Sequence, residues 1–147
     1  MRTKTIVCAT ALLVWGLALQ SFGHDGMRPE AQHPSPNAST SQEVGHGTVT
    51  IEYGRPGVKG REGKIWGELV RYDGGNPRPW MAGANGNAVI TFTEDVKVNG
   101  QDLAAGAYGL LMIPADGEWT VIVSTNAERR GVLNYEQDQD ALRMTGG

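Results

Sequence analysis

The stretch Thr48-Val49-Thr50-Ile51-Glu52-Tyr53-Gly54-Arg55-Pro56 decides the fold class. Its apolar residues recur at every second position, so Val49, Ile51 and Tyr53 share one face while Thr48, Thr50 and Glu52 share the other. That period of two is the signature of a half-buried strand. Arg55-Pro56 ends it, because proline offers no ladder donor and restricts the residue before it. Further along, Ala88, Ile90 and Phe92 alternate with Val89, Thr91 and Thr93 in the same way.

Working outward, Val96-Lys97-Val98, Asn99-Gly100 and Gln101-Asp102-Leu103 read as a tight hairpin, since Asn-Gly readily adopts the positive φ angles of a primed turn. Residues 107–113 and 118–124 are two more strands joined through Pro114-Ala115-Asp116-Gly117. Residues 65–72 fit either a short strand or one helical turn, and Asp73-Gly74-Gly75-Asn76-Pro77 is a loop by composition. Past Ala127 the chain turns polar and acidic, and residues 140–145 open another strand. Short strands, frequent glycine-rich turns and no long helical period predict an all-β domain, an antiparallel sandwich or a barrel-like sheet.

The two ends of the chain differ from this pattern. Arg2 and Lys4 precede an apolar run over residues 6–19, shorter than the ~20 residues a membrane span needs. Ser21-Phe22-Gly23 then supplies small residues for cleavage, so residues 1–23 are expected to be a secretory signal peptide. Cys8 lies at the front of the apolar run, not behind it, which argues against lipidation. Cleavage removes this single cysteine, so the mature chain is expected to stay folded without a disulfide. Residues 24–41, with Pro29, Pro34 and Pro36 and few aliphatic side chains, are expected to be a flexible tether, leaving 42–147 as the β-rich domain.

Loss of Arg2 and Lys4 takes the 13 basic residues to 11 against 16 acidic ones, a formal charge near −5. That balance argues against nucleic acid or an anionic membrane surface as the main partner. His24, His33 and His46 are too scattered for metal-ligand spacing, so no metal or other cofactor is expected.

The punctuating residues run Tyr53-Gly54-Arg55-Pro56 with Gly60-Arg61, Ile65-Trp66-Gly67 with Leu69-Val70, Trp80 with Gly83-Ala84-Asn85, Gly106 with Tyr108, Ile113-Pro114 and Trp119-Thr120-Val121. Their order resembles a secreted bacterial family catalogued as Domain of Unknown Function 2911. The resemblance covers roughly residues 36–144 and implies secretion and a β fold; it implies no activity, because the family has none established. Members commonly carry Arg after the tryptophan where this chain has Met81, so no anion-binding role carries over to that position. They also continue past the equivalent of Met144, which implies a sheet here without the family's last strands.

Arg55, Arg61, Trp80 and Asn85 are the candidate ligand-binding residues. Two planar guanidinium forks suit a carboxylate or phosphate, an indole offers a face to a sugar or cation, and an Asn amide gives paired hydrogen bonds. The competing structural reading ties each arginine to backbone carbonyls or to Glu62, puts Trp80 on the core and Asn85 in a left-handed turn. Glu62, Glu68 and Asp73 are the carboxylates available for acid–base chemistry, and no spacing fixes a pair of them across a cleft. Trp66, Trp119, Tyr108, Phe92 and Leu110 are expected in the core. The sequence thus predicts a non-catalytic envelope binding module holding a small polar or saccharide ligand in the periplasm. The alternatives are a hydrolase using Glu62 or Asp73, and an assembly protein pairing through an open strand edge.

Overall fold

The computed structural model describes residues 35–146 other than Pro77 and Arg129. The expected signal peptide, Cys8, His24, His33 and the tether up to residue 34 lie outside the described residues. The remainder is all-β. Eight strands run β1 (Asn37–Val44), β2 (Gly47–Gly54), β3 (Ala88–Phe92), β4 (Val96–Val98), β5 (Gln101–Leu103), β6 (Gly106–Ile113), β7 (Trp119–Ser124) and β8 (Asp140–Gly146).

Six of them form one antiparallel sheet in the order β1-β2-β3-β6-β7-β8, and β4 pairs with β5 as a separate hairpin. The sheet is open, with β1 and β8 at its two edges, so the barrel-like alternative gives way to a sheet with covered faces. Asn99 and Gly100 at the hairpin tip have φ of 49° and 80°, the pair of positive angles the Asn-Gly dipeptide implied. Residues 65–72 form neither a strand nor a helix; a single bridge joins Trp66 and Val70.

Register decides which side chains share a face. Val49 pairs with Phe92, Ile51 with Ile90, Ile90 with Tyr108, and Leu110 with Val123, which pairs in turn with Leu142. On this face Phe92, Leu103, Val123 and Leu142 are buried together, the hairpin contributing Leu103 and the half-buried Val96 and Val98. The opposite face carries Leu111 and Ile122, covered by Val132 from the 3₁₀ turn Gly131–Asn134 and by the half-buried Met81 and Tyr135. Each face has its own cover, and burying a large aliphatic side chain contributes ~1.5–3 kcal/mol.

The first strand begins inside the stretch expected as tether. Asn37–Val44 pairs along its length with Gly47–Gly54, and Ser41 Oγ and Thr50 Oγ1 share a hydrogen bond of 2.8 Å. Its sequence, NASTSQEV, has no apolar alternation because the strand is an exposed edge; its order comes from the ladder, not from a buried face.

Candidate binding groove

Between β2 and β3 the chain makes a long excursion. Residues 55–79 leave the sheet, and Trp80 returns to it by pairing with Met112 of β6, where the two backbones exchange hydrogen bonds of 2.7 and 2.9 Å. Trp80 thereby extends the line of β3 past Ala88, and residues 82–87 loop out between them, closed by a bond from Ala88 N–H to Met81 O of 3.0 Å. The excursion is folded by local bonds: Val70 N–H to Ile65 O at 2.7 Å, Gly67 N–H to Val70 O at 2.9 Å and Lys64 N–H to Arg61 O at 3.0 Å. Positive φ at Lys59, Gly60, Gly63 and Gly67 explains its glycine content.

This folded excursion leaves a groove of about 590 Å³ against the end of β2. Tyr53, Gly54 and Trp80 line it from the sheet side, Ile65, Trp66, Leu69 and Val70 from the excursion, and Arg55, Pro56, Val58 and Arg61 from the turn after β2. Ala82, also in the lining, holds a φ of 53°, a conformation that costs a non-glycine residue of order 1 kcal/mol or more. The groove lies on the same sheet face as the hairpin-covered core, at the other end of the strands, because Tyr53 of its lining continues the Val49–Ile51 row.

Three indoles meet beside the groove. Trp66 packs edge-on against Trp80 and Trp119 at ring-centroid distances of 5.7 and 5.0 Å, and Trp80 and Trp119 stand 6.3 Å apart. Trp119 Nε1 donates to Ala115 O at 3.1 Å, which fixes that ring. Trp66 was expected in the core; it is 50% exposed instead. Val58 and Leu69 of the lining are also exposed. An indole supported on one side by two others and open on the other is a presented surface, because aromatic edge contacts of this kind contribute ~0.5–1.5 kcal/mol beyond area burial and hold the ring in place.

The four candidate residues divide. Arg55, Arg61 and Trp80 all line the groove, and Asn85 does not. Arg61 donates through Nε to Val58 O at 2.8 Å and through a terminal nitrogen to Gly57 O at 2.6 Å, stapling the turn as its structural reading had it. Arg55 is exposed, and its side chain makes no hydrogen bond or ion pair among the described residues, while its backbone N–H donates to Pro36 O at 2.9 Å. Asn85, with φ of 65°, donates through Nδ2 to Ser35 O at 2.5 Å, tying the 82–87 loop to the approach of β1.

Glu62, Glu68 and Asp73 are exposed and none lines the groove. Asp73 accepts the Gly75 N–H at 3.1 Å, the bond of a turn-forming aspartate. Among the described residues no cluster of three or more His, Cys, Asp or Glu could hold a metal ion. Met81 packs into the Leu111–Ile122–Val132 cluster on the far face, away from the groove. The residues that sequence reading missed are Ile65, Leu69 and Val58: their lack of periodicity concealed that they form a wall.

The chain matches the family model described as Protein of unknown function (DUF2911) over residues 35–146. It belongs to this family. The match spans the whole sheet, the excursion and the groove, so the groove is built entirely from the family's own region. No curated protein and no solved structure matches the chain.

Proposed function

We propose that this DUF2911 domain is a non-catalytic binding module of the bacterial envelope, exported to the periplasm, whose groove holds a small ligand such as a saccharide. The observation that carries the reading is the half-exposed Trp66 at the mouth of a groove of about 590 Å³, a size typical of small-molecule sites at ~300–1,000 Å³. The C–H face of a sugar or another flat apolar surface stacks on such an indole, and the open polar rim leaves its hydroxyls in water. A hydrolase gains no support, because no carboxylate reaches the groove lining among the described residues.

The test is isothermal calorimetry of the chain, purified as the producing cell processes it, against a panel of envelope saccharides and small polar molecules. Saturable heat that Trp66→Ala removes supports the reading; heat that survives Trp66→Ala moves the site elsewhere. Fractionation of the producing cells checks the periplasmic assignment.

Assembly through a strand edge has one observation in its favour. β1 is exposed at every position but the half-buried Ala38, has no strand on its outer side among the described residues, and carries neither proline nor lysine, the residues that commonly guard an edge. Sedimentation across a hundredfold concentration range tests it: an unchanged monomer removes the reading.

A further inference from the structure

The charge of the chain is unevenly placed. The excursion that walls the groove carries Arg55, Lys59, Arg61, Lys64, Arg71 and Arg78 against Glu62, Glu68 and Asp73, a formal +3 in a chain whose total is −3. Of these cations Arg55 and Arg61 line the groove, next to its apolar residues, on an otherwise acidic molecule. Opposite charge attracts a ligand into such a cleft, and low-dielectric walls focus the field.

The two arginines in the lining play different parts. Arg61 has two of its donor directions committed to Val58 O and Gly57 O, so it holds the shape of the turn. Arg55 has no side-chain partner among the described residues, and its position is set by its backbone bond to Pro36 O. An exposed guanidinium with a fixed Cα, beside an aromatic wall, is free to form a bidentate pair with an incoming carboxylate or phosphate.

We infer that the groove selects a small amphipathic anion: an apolar or flat face against Trp66, Leu69 and Tyr53, and one acidic group held by Arg55. This rests on the groove reading above and narrows its ligand class. Two sources share that chemistry, an acidic sugar and a hydrophobic organic acid. Trp66, Leu69 and Val58 are exposed walls of a concave groove, which favours a small molecule over a membrane surface.

The experiment compares matched pairs by calorimetry at low salt: methyl glucuronide against methyl glucoside, and 4-phenylbutyrate against 4-phenylbutyramide. In at least one pair the acid is expected to bind about tenfold more tightly, the scale of one charge-assisted contact, and to lose that advantage as salt is raised. Arg55→Gln is expected to bring acid and neutral partner within about twofold of each other and leave the melting temperature in place; Arg55→Lys is expected to retain part of the preference. The pair that responds names the source. Equal binding of acid and neutral partners, or an acid preference that survives Arg55→Gln, overturns the inference and leaves the groove reading standing. No binding by any of the four removes both. Binding to phosphatidylglycerol vesicles with no response to the soluble acids overturns it in favour of a surface.

Discussion

Gly54 lies directly under the carbonyl of Ala84, so closely that a Cβ at Gly54 would overlap that backbone oxygen. The contact seats the 82–87 loop on the end of β2, and Gly83 rests against Gly54 O from the same loop. The groove's sheet-side wall is therefore held by backbone meeting backbone, which cannot yield as the end of a flexible side chain would.

Gly54→Ala is accordingly expected to destabilise the domain by about 1–3 kcal/mol, the usual cost of forcing extra volume into a packed site. Urea unfolding measures it. A midpoint within error of the parent would mean that the loop can lift without cost.

Trp66→Ala is expected to separate stability from binding. The indole is half exposed, so its loss forfeits two edge contacts worth ~0.5–1.5 kcal/mol each and little buried area. Ligand affinity is expected to drop at least tenfold. A fall in stability beyond about 4 kcal/mol would show Trp66 to be core after all.

Arg61→Ala removes two bonds to the turn carbonyls, at 2.8 and 2.6 Å. The turn is solvent-exposed, so the effect is expected to be local: faster amide exchange over residues 57–64 and a cost of about 1 kcal/mol or less in global unfolding. Acidic and neutral ligands are expected to lose affinity together, unlike the selective effect at Arg55.

Asn85→Ala is expected to lower stability and spare ligand affinity. It loses the bond to Ser35 O and places alanine at a φ of 65°, while the groove lining stays intact. Asn85→Gly, which accepts that φ, is expected to be the milder change. A large loss of affinity in both variants would bring Asn85 back into the site.

Tyr135 gives the pH dependence. Its hydroxyl donates to Asp140 Oδ2 at 2.9 Å and accepts from Arg143 at 3.0 Å, and Arg143 also pairs with Asp140 at 3.2 Å. Burial, followed by the bond to Asp140 and its charge, pushes the phenol above its ordinary 10.0, and Arg143 opposes the rise. The folded state therefore holds this proton more tightly than the unfolded one. The stabilisation is complete below about pH 10 and is lost as the pH climbs through the raised folded value. The stability gap between the parent and Tyr135→Phe is expected to be widest at pH 8–9 and to narrow above pH 10; a gap constant to pH 11.5 would mean that the phenol titrates alike in both states.

Most of the sheet was legible because its strands alternate. Val49–Ile51–Tyr53 and Ala88–Ile90–Phe92 announce the face they bury, and Asn99-Gly100 announces its turn. β1 was not legible, since an edge strand of Asn, Ser, Thr and Gln buries too little to leave a pattern. The groove was half legible. Arg55, Arg61 and Trp80 stood out by residue type, but the wall of Ile65, Trp66 and Leu69 depends on a 25-residue excursion with no period. Trp66 meeting Trp119 depends on β6 carrying Trp80 on one side and β7 on the other, a relation that only the sheet order supplies.

The indole cluster also makes the domain optically simple. Trp66, Trp80 and Trp119 are the tryptophans among the described residues, and all three lie within one cluster at the groove. Excitation absorbed by any of them passes readily between rings so close, and their transitions couple. The tryptophan emission and the tryptophan bands of the near-ultraviolet dichroism of the described residues therefore report on a single place, and a solvent change or an arriving molecule there would register without any attached dye.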